Sequence, residues 1–195
     1  KELGGIVMRA KNIISTLLIP AVMMCSVHLS FAEGGAGTED DPYLISSAED
    51  WDSFRTYIEN DEDQGAGEYW KLTADIDFSD GGIQGWIAPV GPYDLGVGDE
   101  PAEGTSFKGN LDGGGHVIKN YVINATKTGL GNHGSFGLFA AVGGDAVIEN
   151  LGAENVNLRM GEDWIYISAG AIAGAVMDNA AIKNCYSRIV TCENA

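Results

Sequence analysis

Two stretches of the chain, GLFAAVGGDAVIEN at residues 137–150 and AIAGAVMDNAAIKN at residues 171–184, repeat one pattern. Both copies carry Val at the sixth position, Val142 and Val176, and both end in a triplet of Ile, a charged residue and Asn. A repeat of roughly 20–50 residues is typical of solenoids, in which each repeat is too small to bury its apolar side chains alone. The repeat therefore predicts a stack of coils.

The terminal triplet occurs three times in the chain, as Ile118-Lys119-Asn120, Ile148-Glu149-Asn150 and Ile182-Lys183-Asn184. We expect the three isoleucines to point inward and to stack as one aliphatic column, with about 4.8 Å between coils. The three asparagines are expected at a corner, because Asn tolerates the left-handed backbone that a corner needs. Their side-chain amides would then hydrogen-bond from coil to coil, while the charged residue of each triplet faces water.

One segment, at about 48–60, has the pattern of an amphipathic helix. Two capping boxes can start it, Ser46 with Glu49 or Ser47 with Asp50, since each satisfies backbone donors that the first turn leaves unpaired. Its apolar face consists of Trp51, Phe54 and Ile58. A stack of coils exposes strand edges at its ends, so we expect this helix to cap the N-terminal end.

From Tyr69 onward the helical period disappears, and short apolar runs alternate with clusters of Gly, Asp and Asn. The chain has 28 Gly and only 5 Pro among its 195 residues, which suits many short strands joined by tight turns. The sequence therefore predicts an all-β fold, a parallel β-helix, over residues 33–195.

The N-terminal residues have the pattern of a secretory signal peptide. Arg9 and Lys11 precede an apolar run at 13–27, and small residues lead to Ala32. A membrane anchor is the alternative, but the run is interrupted and shorter than the ~20 residues that a span needs. We therefore predict that residues 1–32 comprise upstream residues and a signal peptide cleaved after Ala32, and that the mature protein is secreted or lies at the cell surface without a transmembrane span.

The charge balance excludes one large class of partners. The chain has 28 acidic and 11 basic side chains, a net charge of −17, whereas nucleic-acid binding needs a basic surface. In an exported protein Cys185 and Cys192 can pair, or they can be two small buried side chains. The chain stops soon after its third triplet, so both a continuation beyond residue 195 and capping by association stay open.

Several stretches resemble bacterial surface and secreted β-helix proteins. These are residues 35–50, 69–77 and 107–118, together with Gly137-Leu138-Phe139-Ala140 and Ala171-Ile172-Ala173-Gly174. The last two resemble the Gly-Leu-aromatic-Gly centre of GLUG repeats, the first with Ala in place of the final Gly. The resemblance covers nearly all of the predicted domain and implies a right-handed parallel β-helix. It does not imply an activity, because such repeats occur in adhesins, in outer regions of surface proteases and in other proteins.

Two sets of residues invite a catalytic interpretation. Asp112 and His116 flank three glycines and have the composition of an acid–base pair, but we expect a tight turn there, with Asp112 capping the backbone. No second carboxylate has a matching context for glycoside chemistry. Asp75 and Asp77 alternate along one run, and we expect them at a turn and an edge. We assign no catalytic and no cofactor-binding residue.

The candidate binding residues have less support from the sequence than the candidate catalytic residues. Asp61, Asp63 and Glu68 are candidate Ca²⁺ ligands because carboxylates in loops suit that ion, although no EF-hand loop is present. A solvated acidic surface is the simpler explanation of these residues. Trp164 and Tyr166 follow a loop between coils and are candidate ligand contacts, with interior packing as the simpler explanation.

The sequence therefore predicts a non-enzymatic interaction module, an adhesin-like domain or the stalk of a larger surface protein, with a protein or a glycan at a cell surface as its partner. Two alternatives stay open. One is a β-helix polysaccharide lyase or glycoside hydrolase, which a carboxylate cluster on one exposed face would favour. The other is the non-catalytic N-terminal region of a secreted protease. The sequence contains neither a His-Glu-x-x-His nor a Gly-x-Ser-x-Gly motif.

Overall fold

A computed structural model describes residues 35–79, 89–91, 93–94, 103–124, 133–160 and 166–194. The predicted leader, residues 1–32, lies outside these ranges. The described residues form one helix, α1 (Ala48–Asn60), and sixteen strands. The strands are β1 (Tyr43–Ile45), β2 (Tyr69–Leu72), β3 (Ile76–Asp77), β4 (Tyr93–Asp94), β5 (Glu103–Gly104), β6 (Asn110–Asp112), β7 (Val117–Lys119), β8 (Val122–Asn124), β9 (His133–Phe136), β10 (Phe139–Val142), β11 (Val147–Glu149), β12 (Gly152–Met160), β13 (Tyr166–Ala169), β14 (Ala173–Val176), β15 (Ala181–Lys183) and β16 (Tyr186–Asn194).

The strands pair in parallel, apart from the antiparallel pair β4–β5, so the predicted all-β class is confirmed. Sheet A has the order β1-β2-β6-β11-β15, and sheet B has the order β16-β12-β7-β3 with β8 also on β12. Sheet C is β10-β14 and sheet D is β9-β13. From β11 the chain passes through sheets B, D and C before it returns to sheet A at β15. Successive strands of one sheet therefore come from successive circuits of the chain.

The last two circuits are in register in three sheets. Ile148 lies beside Ile182 in sheet A, and Val142 lies beside Val176 in sheet C. In sheet B, Leu158 lies beside Cys192. Each pair is separated by the same 34 residues that separate Asn150 from Asn184, which confirms the alignment of the two C-terminal repeats.

The prediction that Ile118 belongs to the same column as Ile148 and Ile182 is wrong. Ile118 lies in sheet B, between Ile76 and Ala153, while the residue beside Ile148 on the preceding strand of sheet A is Leu111. The physical reason is that two different corners of the chain require the same three kinds of residue. Each needs a buried aliphatic residue, an outward charged residue and then a residue that tolerates a left-handed backbone. One triplet therefore serves both at the end of sheet A and at a bend within sheet B.

The predicted asparagine ladder is accordingly two ladders. After sheet A, the Asn184 amide donates to Asn150 Oδ1 at 2.7 Å, and the Asn150 amide donates to Asp112 at 2.9 Å. At a bend within sheet B, between β7 and β8, Asn155 donates to Asn120, which in turn donates to Asp77. The four asparagines, Asn120, Asn150, Asn155 and Asn184, have φ of 49–60°. Their corner role is thus confirmed, with Asn120 in a different ladder from the one predicted.

Helix α1 begins and ends at the predicted residues. Of the two predicted capping boxes the structure forms half of the second: Ser47 accepts from the Asp50 amide. The Asp50 carboxylate accepts from the backbone and hydroxyl of Ser46, not from the Ser47 amide that the box requires. Trp51 and Phe54 are fully buried and contact Phe139 edge-on, with ring centroids 5.7 and 6.2 Å apart. The apolar face of the helix therefore covers aromatic side chains supplied by the strands.

Ile189 breaks the corner rule and gives a test of it. It has a φ of 55° and is 63% exposed, and it lies on β16 at the place that Asn155 occupies on β12. A β-branched residue is strained in this region, at a cost of order 1–3 kcal/mol. We expect Ile189→Asn to raise the free energy of unfolding by about 1 kcal/mol, because Asn tolerates this backbone.

Urea denaturation monitored by circular dichroism measures this effect. Ile189→Val is the matched control, because it shortens the exposed side chain but keeps the β-branch, and it should leave the stability nearly unchanged. An Asn variant no more stable than the Val variant would contradict the corner assignment.

Candidate functional site

An open groove of about 620 Å³ runs across the outer face of sheet A. Its charged lining residues are Glu39, Asp40, Lys71, Asp112, Glu149 and Lys183. The other lining residues are Pro42, Leu44, Tyr69, Trp70, Asn110, Leu111 and Val147. The groove crosses strands from five segments of the chain, so its surface exists only when those segments are stacked.

Most of the charged groups come from a single column of the sheet. Lys71 lies beside Asp112, Asp112 beside Glu149, and Glu149 beside Lys183. Adjacent parallel strands are about 4.8 Å apart, so two carboxylates stand next to each other between two ammonium groups. The Lys71 ammonium lies 3.2 Å from the Asp112 carboxylate. The column therefore presents both signs of charge along the floor of the groove.

The Asp112 carboxylate is held in its ionised form. Burial alone would raise its pKa, but hydrogen bonds from Asn150, the Gly114 amide and Lys71 together outweigh burial and lower the pKa. A carboxyl group with a lowered pKa cannot donate a proton at neutral pH, whereas a glycosidase acid needs a raised one. Asp112 is therefore suited to accepting hydrogen bonds.

Two further side chains that line the groove are an aromatic residue and an amide. Tyr69 and Asn110 lie side by side on β2 and β6, and both are partly exposed. Tyrosine combines an apolar face with a hydroxyl, and an amide both donates and accepts. Together with the carboxylates and ammonium groups, these side chains suit a ligand that carries many hydroxyl groups.

The predicted alternative of an Asp112–His116 pair does not form. His116 Nδ1 lies 3.3 Å from Asp75 Oδ1, and Asp75 also accepts from Lys119 at 2.9 Å and from the Val117 amide. These hydrogen bonds, that from Lys119 foremost, lower the pKa of Asp75. His116 therefore pairs with Asp75 and not with Asp112.

The outer face of sheet B differs from the groove in its charge order. Its column runs Asp77, Lys119, Glu154 and Arg188, so the sign alternates at every step. Arg188 lies 3.6 Å from Glu154. Each charge on this face therefore has an opposite charge beside it, and the face offers a matched control for the groove.

The predicted calcium ligands do not converge. Asp61 Oδ2 accepts from the Gly65 amide at 2.7 Å, and Glu68 Oε1 accepts from the Tyr57 hydroxyl at 2.8 Å. Burial, together with the charges of Asp61 and Asp63, raises the pKa of Glu68. Within the part of the chain that the structure describes, no three His, Cys, Asp or Glu side chains are grouped to hold a metal ion. The carboxylates instead shape the turn after α1.

The structure gives less information about the remaining predicted residues. Trp164 lies outside the described residues, and Tyr166 is described only through its backbone, which pairs with His133 in sheet D. Cys185 and Cys192 are both free thiols. Burial raises the pKa of Cys185, so its thiol is a weak nucleophile.

Of the groove residues, sequence reasoning considered only Asp112 as a candidate and missed the others, among them Lys71, Glu149 and Lys183. Glu149 and Lys183 are the middle residues of two triplets, which were expected only to face water. The signal that identifies them is the register itself. Once Ile148 is aligned with Leu111, Glu149 must lie beside Asp112 and supplies the second carboxylate that the sequence appeared to lack.

Comparisons with known proteins give distant relatives. No protein-family model matches the chain, so the resemblance to GLUG repeats stays a prediction. The chain is 31% identical over 147 residues to a protein of Evansella cellulosilytica named as a Gly-rich membrane protein, a match that covers 75% of this chain and 14% of that protein. It is 32% identical over 153 residues to halomucin of Haloquadratum walsbyi, covering 77% and 1% of the two chains. The chain thus spans a small part of the relatives' length.

One solved structure is similar, a crystal structure assigned as an immunoglobulin A1 protease from Bacteroides ovatus. The match has a TM-score of 0.44 and 26% sequence identity, and it covers 78% of this chain and 49% of that chain. A separate observation concerns membranes: among the described residues, no helix has the length and apolar character needed to cross one.

The raised pKa of Glu68 predicts a pH-dependent effect of one substitution. A carboxyl whose pKa is higher in the folded state favours folding at low pH, and this contribution is lost as the pH rises through the folded pKa. Gln stays neutral and can still accept from the Tyr57 hydroxyl. We therefore expect Glu68→Gln to stabilise the protein at pH 7–8, with the gain shrinking as the pH falls through the titration of Glu68.

Thermal denaturation of both chains between pH 4 and pH 8 measures this gain. Glu62→Gln is the control, because Glu62 is an exposed residue of the same turn. An equal gain from Glu62→Gln, or a gain from Glu68→Gln that does not change with pH, would contradict the assignment.

Proposed function

We propose that the chain is a right-handed parallel β-helix of GLUG-like repeats that acts as a non-enzymatic interaction module at a cell surface and binds glycan in the groove of sheet A. The observation that carries the proposal is the column of side-by-side charges on the groove floor, with an ionised carboxylate at its centre.

The β-helix is supported by the path of the chain. The circuit from sheet A through sheets B, D and C back to sheet A repeats with parallel pairing at each return. Crossovers between parallel strands of one sheet are right-handed in about 98% of cases. Helix α1, which covers the aromatic side chains near the first strands, then acts as the N-terminal cap.

Glycan is the ligand class that the groove chemistry supports best. Ionised carboxylates and ammonium groups are strong partners for hydroxyl groups, and a hydrogen bond to a charged group contributes about 1.5–3 kcal/mol. The groove is open along its length, so a polymer can pass through it without a chain end. Tyr69 supplies the apolar face on which a sugar ring can rest.

A location at a cell surface is supported by two independent observations. The N-terminal residues have the pattern of a signal peptide. One relative, several times longer than this chain, is named as a membrane protein. We infer that the module is carried outward as part of a surface or secreted protein.

A second candidate function, glycoside hydrolysis, is favoured by one observation, the neighbouring carboxylates of Asp112 and Glu149. Glycoside hydrolases usually act through a pair of carboxyl groups. The lowered pKa of Asp112 opposes its use as the general acid of such a pair, which must be protonated at working pH, but it suits the carboxylate that stays ionised. We propose binding without turnover, and the experiment below tests both.

The test is binding of the protein to an array of bacterial and host polysaccharides, followed by calorimetry on the best ligand. Glu149→Gln removes the charge of one groove carboxylate but keeps its shape, and we expect it to weaken binding about tenfold, since 1.4 kcal/mol is a factor of ten. Tyr69→Ala should weaken binding by a similar factor. The matched control is Glu154→Gln on sheet B, which should bind like the unchanged protein.

Two results would contradict the proposal. Equal losses from Glu149→Gln and Glu154→Gln would place binding outside the groove. Release of reducing ends from a bound polysaccharide, abolished by Asp112→Asn in a chain whose circular dichroism is unchanged, would show that the site is catalytic.

A further inference from the structure

The side chains of the groove repeat at a regular interval in the direction that crosses the strands of sheet A. They form two outward columns, one with Lys71, Asp112, Glu149 and Lys183 and one with Tyr69, Asn110 and Val147. Each step along either column is one strand, and neighbouring parallel strands are about 4.8 Å apart. A ligand that lies across the strands therefore meets new side chains at this interval.

The interval is close to the length of one sugar ring in an extended β-1,4-linked polysaccharide. In such a polymer each ring spans its two linkages nearly end to end. A β-1,3 or an α-1,4 linkage bends the polymer into a helix, which shortens the advance along its axis for each ring. An extended polymer laid across the strands therefore places one ring on each strand and stays in step with them.

The column of Tyr69, Asn110 and Val147 has a second regularity. Tyr69 on β2 and Val147 on β11 offer apolar surface, the strand between them carries the Asn110 amide, and all three residues are partly exposed. An extended β-1,4-linked polymer turns over at each ring, so the same edge of the ring returns at every second strand. Tyr69 and Val147 are two strands apart and therefore meet equivalent edges, with a hydrogen-bonding side chain at the ring between them.

The other column indicates the charge of the polymer. Lys71 and Lys183 flank two carboxylates, so these four strands carry two charges of each sign. A polymer with the same charge on every ring would meet a like charge at two of the four strands, which is unfavourable. Glu39 and Asp40 also line the groove and disfavour a polyanion further. An uncharged polymer meets no like charge, and its hydroxyl groups can donate to the carboxylates and accept from the ammonium groups.

We propose that the ligand of the groove is an uncharged, extended β-1,4-linked polysaccharide that lies across the strands of sheet A with one sugar ring on each strand. This inference rests on the proposed function, because it names the class of glycan that the same groove binds. It adds a direction, a spacing, a linkage and a charge, each of which can fail while glycan binding in the groove stands.

The test uses three sets of oligosaccharides with two to six rings, and calorimetry measures their binding to the full chain. Cello-oligosaccharides are uncharged and β-1,4-linked. Laminari-oligosaccharides contain the same glucose units in β-1,3 linkage and are the control for linkage. Oligomannuronates keep the β-1,4 linkage but carry a carboxylate on every ring, so they are the control for charge.

We expect the affinity for cello-oligosaccharides to rise with each added ring from two to four, because each ring reaches the side chains of one more strand. The six-ring members of the other two sets should bind at least tenfold more weakly than cellohexaose. The laminari-oligosaccharide falls out of step with the strands, and the oligomannuronate meets like charges.

Val147→Thr tests the spacing, because Thr keeps the β-branch that suits a strand but replaces a methyl group by a hydroxyl. We expect it to weaken the binding of cellohexaose about fourfold. Cellobiose spans two strands and cannot lie on both Tyr69 and Val147, so it should lose less. The matched control is Val122→Thr, since Val122 is a partly exposed residue of β8 in sheet B. It should bind like the unchanged protein, and circular dichroism should show the same fold for both variants.

Several results would overturn this inference and leave glycan binding in the groove intact. They are equal binding of laminarihexaose and cellohexaose, an affinity that stops rising at two rings, tighter binding of the oligomannuronates, and equal losses from Val147→Thr and Val122→Thr. Failure of all cello-oligosaccharides to bind, while another glycan binds and loses affinity in Glu149→Gln, would do the same. If no polysaccharide binds at all, the proposed function fails and this inference fails with it.

Discussion

Strands β11 and β15 are joined by parallel hydrogen bonds that align Ile148 with Ile182, and this register determines which residues become neighbours elsewhere in the molecule. A shift of one residue would bring every buried side chain of a strand to the outside, so the alternation of apolar and polar residues fixes the alignment. The corners reinforce it. Asn184 reaches Asn150 only when the two circuits are in step, and its side-chain amide nitrogen then donates to Asn150 Oδ1.

The register that stacks the buried side chains of successive strands also stacks the outward side chains that follow them in the sequence. In sheet A it places Lys71, Asp112, Glu149 and Lys183 in one line, and in sheet B it places charges of alternating sign in another. The two faces share parallel strand pairing and differ in the order of their charges. Function in this molecule is therefore a matter of which side chains occupy the outward columns, since the fold itself supplies only their spacing.

Sequence reasoning reached the class of the fold, the bounds of α1 and the alignment of the two C-terminal repeats, because each depends on a local period or on a strict copy. It failed where circuits differ in length. Glu149 lies beside Asp112 although the two turns that follow contain different numbers of residues, so no constant interval reveals the pair. The aromatic cluster of Trp70, Phe107 and Phe139 was likewise hidden, because its members lie far apart in the sequence and share no motif.

The most direct test of this account is the detection of hydrogen bonds between circuits by nuclear magnetic resonance, through the scalar coupling that crosses such a bond. The account predicts a coupling from the Ala181 amide to the Ala146 carbonyl and from the Met177 amide to the Val142 carbonyl, pairs separated by 2.9 and 2.8 Å. Couplings from these amides to residues near them in the sequence, or amides that exchange with solvent as fast as an unfolded chain, would contradict it.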